Sequence, residues 1–180
     1  MNKTLKNTTI AGIIAAIFLI PQTILEFLRS ANKLTGNLLP LYIVVLIIAL
    51  GTYIYFIWGF KIIGDKTKNK LLTKSSYFLI IATILFYAVS FVIQDSSTLT
   101  QAIFGGSVLV LFGAISIPFG IGILKLKKEF GAIATAVGVL NIITGVSLIT
   151  IILIFIGLLL LIPLIVLEII LMFKAAERFK

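Results

Sequence analysis

Glu168 lies deep inside a long apolar run, about five residues past Pro163, which sits near the middle of that run. A charged group at the centre of a membrane helix costs about 2.5–3.5 kcal/mol on insertion scales. Such a residue faces the interior of a helix bundle and takes a partner there, or it takes up a proton and stays neutral, because loss of water disfavours the charged form. Tyr55 and Ser116 lie at similar depth and can each donate a hydrogen bond. On another run, Asn141, Thr144 and Ser147 follow one another at helical spacing and form a polar strip. Glu168, Asn141, Thr144, Ser147, Tyr55 and Ser116 thus make a candidate intramembrane polar site. Its functional use would be to bind a proton or a cation. Its structural use would be hydrogen bonding between helices, each bond worth about 0.6 kcal/mol on average, and that simpler use is favoured.

Other chemistry is hard to build. The chain has no histidine and no cysteine, which removes the commonest general base and the best metal ligands together. Nucleophilic catalysis needs an activated hydroxyl, thiol or amine with a base beside it. The lysines belong to loops or termini, and no second carboxylate shares the depth of Glu168, since Glu26 and Asp95 belong to the opposite face. The expectation is no enzyme, no cofactor and no metal. Gly64-Asp65-Lys66-Thr67 lacks the second glycine and the spacing of a phosphate-binding loop.

The elements that must position these residues follow from composition. Of 180 residues, 61% are hydrophobic and 12% charged, against about 45–50% and about 25% in a soluble domain. A chain this short has too little interior to hide that surplus, so lipid is the expected solvent. Segments of about 20 apolar residues suffice to cross a bilayer as helices. They fall near residues 8–28, 39–60, 76–93, 102–124, 130–150 and 153–173. The last two come from one stretch of 44 residues. As a single helix it would run to roughly 65 Å at 1.5 Å per residue, so a turn is expected between Ser147 and Gly157. Lys3 and Lys6 precede the first apolar run as in a signal peptide, but Pro21 and Gln22 follow it without a cleavage pattern, so an uncleaved span is expected. Pro21, Pro118 and Pro163 lie within spans and tend to kink them.

Charge sets the expected orientation. With six spans, 13 of the 15 basic residues fall on one side, leaving only Arg29 and Lys33 on the other. Positive loops stay cytoplasmic, which places both termini there. The expected fold is therefore an all-α polytopic transmembrane bundle of six spans in one domain, in a plasma (inner) membrane. Glu26 and Arg29, three apart, form a surface pair of small value. Tyr53, Tyr55 and Trp58 suit an interfacial belt. The lysine-rich loop Lys61–Lys74 would rest on anionic lipid headgroups. It lacks interleaved aromatics, so nucleic acid is not an expected partner.

Glycine spacing carries the sharpest packing signal. Gly106, Gly113 and Gly120 are seven apart in the fourth span, and Gly131, Gly138 and Gly145 are seven apart in the fifth. Seven residues is nearly two helical turns, so each trio lines one face. If the hairpin turns at Lys125–Glu129, Gly120 should meet Gly131, Gly113 should meet Gly138 and Gly106 should meet Gly145. In lipid, close backbone approach at small residues holds helices together. A weak internal echo relates Trp58-Gly59 with its following basic loop to Phe119-Gly120 with its own, at a shift of 61 residues.

The stretch Phe119-Gly120 through Phe173, with its Gly138 and Gly145 pattern and basic tail, resembles small prokaryotic six-helix membrane proteins of unknown function. The chain is also similar in length and helix number to substrate-binding subunits of vitamin transporters. Ala11 and Ala15 match their small residues four apart on the first span, but Leu19 breaks the continuation, so no binding residue carries over. The expected function is that of a non-enzymatic accessory, regulatory or assembly subunit, binding other membrane proteins or a second copy of itself. The alternative is a small transporter or channel component using Glu168 and the Asn141–Thr144–Ser147 strip.

Overall fold

The computed structural model describes residues 2–30, 36, 38–93, 97–150 and 153–179, the side chains at 30 and 98 excepted. Lys33, Asp95 and Lys180 lie outside the described residues. Among the described residues seven helices follow in order: α1 Lys3–Ser30, α2 Leu38–Lys66, α3 Lys70–Val92, α4 Thr98–Leu124, the one-turn α5 Lys127–Phe130, α6 Ala132–Ile149 and α7 Ile154–Arg178. All but α5 are long and apolar enough to cross a membrane. The turn inside the long C-terminal apolar stretch falls at Thr150, whose backbone is extended and ends α6. Gly157 lies within α7 and serves packing, since a Cβ there would come within 3.0 Å of Leu148.

The six long helices form a ring in chain order. Each packs on the next, with α4 passing directly to α6, and α7 returns to α1. One end of the ring gathers both basic turns and both chain ends. Asn2 donates its backbone N–H to the Ala176 carbonyl at 2.7 Å, and Arg178 donates to the Glu129 carbonyl at 3.0 Å. The main core sits at this end, where Phe56, Phe60, Phe119, Ile123, Leu171 and Met172 are buried. Phe60 and Phe119 meet edge-on at 5.1 Å. At the opposite end, among the described residues, Leu25, Tyr42, Val45 and Leu46 form a small cluster. Among the described residues, α3 buries none beyond Thr83 and α4 none before Gly113.

Glycine joins α4 to α6, but in a register different from the expected one. A Cβ on Gly113 would stand 2.7 Å from the Gly145 carbonyl oxygen, and one on Gly120 would stand 2.7 Å from that of Gly138. The pairs are displaced by one heptad from Gly113–Gly138 and Gly106–Gly145. The cause is the turn, which is longer than supposed. After Leu124 the chain adds α5 before Gly131, whose φ of +65° suits glycine and separates α5 from α6. Gly131 is thus a hinge, with nothing within 4 Å of its Cβ position, and Gly106 is equally open.

The basic loop is also shorter than Lys61–Lys74. Lys61 and Lys66 end α2, whereas Lys70 and Lys74 begin α3, leaving only 67–69 between them. Asn69 makes this tight turn possible. Its side-chain oxygen accepts from the Leu72 N–H at 3.2 Å and its amide donates to the Gly122 carbonyl on α4 at 2.7 Å. Lys61 pairs with Asp65 at 2.7 Å, and its ammonium lies 4.8 Å from the Trp58 ring centre. Lysines on helix ends lay their apolar stems along the helix and hold their charge at the surface.

This packing predicts unequal effects for glycine substitutions. Gly120→Ala and Gly138→Ala should each destabilise the bundle by about 1–3 kcal/mol through overpacking. Gly106→Ala should be neutral or stabilising, because alanine favours the helix by about 1 kcal/mol. Reversible unfolding in mixed detergent measures all three, and equal losses would contradict the register.

Candidate functional site: the carboxylate between α6 and α7

The antiparallel contact of α6 with α7 brings the polar residues together. Asn141 and Glu168 are 3% and 8% exposed. The Asn141 amide donates to Glu168 Oε1 at 2.9 Å and to the Val137 carbonyl of its own helix at 3.1 Å. The bond to Glu168 crosses between helices, and no lysine or arginine among the described residues pairs with this carboxyl group.

Tyr55 and Ser116 do not join it. Tyr55 is 38% exposed on the outer surface. Ser116 donates to the Phe112 carbonyl of its own helix at 2.8 Å and faces α6 beside Gly145. Depth alone made them candidates, whereas the facing helix decides what meets Glu168: its hydrogen-bond partner is Asn141 of α6, and α2 meets α7 through Gly59 against Met172. Tyr53 is the tyrosine of α2 within electrostatic reach of Glu168, packed against the core rather than in an interfacial belt. Residues two apart on a helix point in nearly opposite directions, so Tyr53 faces inward where Tyr55 faces out. That geometry was the available signal.

Thr144 and Ser147 complete the strip, both buried. Ser147 packs against Gly157 of α7, where an added Cβ would lie 3.2 Å from the serine Cβ. The buried hydroxyls of Thr8, Thr9, Ser75, Ser76 and Thr83 all donate to carbonyls of their own helices. Thr144 Oγ1 is sealed and has no partner among the described residues. An unmet buried hydroxyl costs about 1–3 kcal/mol.

A second polar cluster at the opposite end joins α1, α2 and α3. Tyr42 donates to Glu26 at 2.9 Å, and Arg29 pairs with Glu26 at 3.2 Å while lying 5.3 Å from the Tyr42 ring centre. Gln22 bonds Tyr87 beside them. The Glu26–Arg29 pair lies within α1, and Tyr42 joins it to α2 through Glu26. Sequence spacing exposed that pair, but Tyr42 and Tyr87 come from other helices.

The α6–α7 site has one carboxyl group, one amide and one free hydroxyl. It can hold a proton or stitch two helices. Among the described residues, no three His, Cys, Asp or Glu side chains converge as metal ligands. The Asn141–Glu168 bond should be measurable by a double-mutant cycle in unfolding experiments. Asn141→Leu and Glu168→Leu should show a coupling of about 0.6–1.7 kcal/mol, the single Asn141→Leu being the worse because it strands the acid. Strict additivity would mean the bond contributes nothing. Comparison with protein-family models, with curated proteins and with solved structures returned no match.

Proposed function

We propose that this chain is a non-enzymatic accessory, regulatory or assembly subunit that works within the membrane by lateral contact with another membrane protein. One observation carries the reading. The outer side of α6 presents a groove of about 650 Å³ whose walls include Gly131, Ala132, Thr135 and Ala136. Ala132 and Ala136 are exposed and four residues apart, the spacing that lets a second helix approach closely in lipid. The other face of α6, with Gly138 and Gly145, already holds α4 in this way. The proposed occupant is a transmembrane helix of a partner protein.

A second reading, a small solute or cation transporter, draws on the buried Glu168 and the unpaired Thr144 hydroxyl. One experiment separates the two. Chain purified from its native membrane should retain a stoichiometric protein partner that Ala136→Leu loses and that Phe78→Leu, exposed on α3, keeps. Absence of any such partner, together with reconstituted flux that Glu168→Gln abolishes, would overturn the subunit reading in favour of transport.

The basic end of the bundle is proposed to face the cytoplasm, with both termini, in a plasma (inner) membrane. The asymmetry of 13 basic residues against two supports this, and anionic headgroups are the proposed lipid contact of Lys61–Lys74. Because the chain has no cysteine, single Lys66→Cys and Lys127→Cys variants give clean probes. An impermeant maleimide should label them only after the cells are opened, and labelling on intact cells would reverse the orientation.

A further inference from the structure

We infer that the cavity between the two basic turns is a binding site for a phosphate-bearing anion, formed by Lys68 and Lys70 of one hairpin and Lys125 of the next. The cavity has a volume of about 380 Å³ and is lined by these three lysines together with Asn69, Leu126 and Glu129. The lysines are exposed, whereas Asn69 and Leu126 are buried and close the floor.

Charge balance points to an anion. Glu129 is the one carboxylate in the lining. Arg178 already engages it, at 3.8 Å to the carboxylate and 3.0 Å to the backbone carbonyl. Asp65, the nearest carboxylate along the chain from Lys68, is taken by Lys61 at 2.7 Å and by the Thr73 hydroxyl at 3.0 Å. Three lysines thus line a concavity whose one carboxylate is shared with Arg178, and the excess positive charge is relieved by an anion bound between them. Lysine serves phosphate as a point charge. The start of α3 adds the positive end of a helix dipole.

The walls are also held in place. Asn69 ties the first turn to α4 through the Gly122 carbonyl at 2.7 Å, and its backbone N–H reaches the Gly64 carbonyl at 2.7 Å. Gly122 allows α3 to come close, since a Cβ there would sit 2.9 Å from Leu72 Cα. The backbone of Lys125, which caps α4 three residues after Gly122, is thereby held beside the first turn. The site lies at the end of the spans where headgroups would lie. Its ligand is either a lipid phosphodiester or free phosphate, which share the recognised group.

The test uses the full chain in a neutral detergent. Native mass spectrometry with equal phosphatidylglycerol and phosphatidylcholine reads lipid retention, and calorimetry with inorganic phosphate reads the free anion. Lys125→Gln and Lys68→Gln should each weaken binding about fivefold, the worth of one lysine near an anionic surface. Lys125→Arg should restore it, and Lys3→Gln and Lys174→Gln, outside the cavity at the same end, should leave it unchanged. An effect confined to the lipid arm identifies a headgroup, and one confined to the phosphate arm identifies a soluble anion. Equal losses from cavity and control lysines, no binding by the unsubstituted chain in either arm, or undiminished binding by Lys125→Gln and Lys68→Gln, would overturn the site.

Discussion

Where α4 crosses α6, the backbones approach so closely that a methyl group on Gly145 would stand 2.7 Å from the Gly113 carbonyl oxygen, and one on Gly138 would stand 2.8 Å from that of Gly120. Apolar side chains gain nothing by leaving lipid for other apolar side chains, so helices hold together there through packing and hydrogen bonds. This double contact brings backbone against backbone at two levels. It sets the depth at which α6 presents Asn141 to α7, and it turns the small residues Ala132, Thr135 and Ala136 toward the outside. The register of the α4–α6 pair therefore governs both the buried polar site and the outer groove.

The same reasoning explains the uneven packing along the bundle normal. The basic end has aromatic and aliphatic residues interlocked among α1, α2, α4 and α7, with Gly59 leaving room for Thr8 and Met172. It also has hydrogen bonds that tie turn to helix and chain start to chain end. The far end relies on side-chain links, Gln22 with Tyr87 and Glu26 with Tyr42. In water, so thin a cluster would leave apolar helix faces exposed at great cost. Hydrocarbon around the spans removes that cost, which is why Ile47, Val92 and Phe155 can stay outside.

Much of the architecture was legible in the chain. Length and hydropathy located six helices, and the surplus of apolar residues within a short chain required lipid. Helix ends were less legible: lysines at 61, 66, 70 and 74 suggested a loop, yet Asn69 caps a three-residue turn and the helices run on through the charges. Heptad glycines revealed which helices would meet but not the register. That depended on seven residues of turn geometry around α5, where periodicity carries no information. Glu168 and Asn141 stood out separately as polar residues in apolar runs. Their pairing follows from the adjacency of α6 and α7, which no local pattern encodes, and the inward turn of Tyr53 beside the outward Tyr55 was recoverable only from helical geometry.

The register of α4 against α6 can be measured directly in membranes, because a chain without cysteine accepts engineered pairs without background. Ile117 reaches the backbone position of Gly145 and Ile142 reaches that of Gly120, so cysteines at 117 and 142 face each other across the joint. Oxidation should cross-link Ile117→Cys with Ile142→Cys and leave Ile117→Cys with Ala134→Cys unlinked. The opposite outcome would place the helices one heptad away, with Gly113 against Gly138, and would contradict the account.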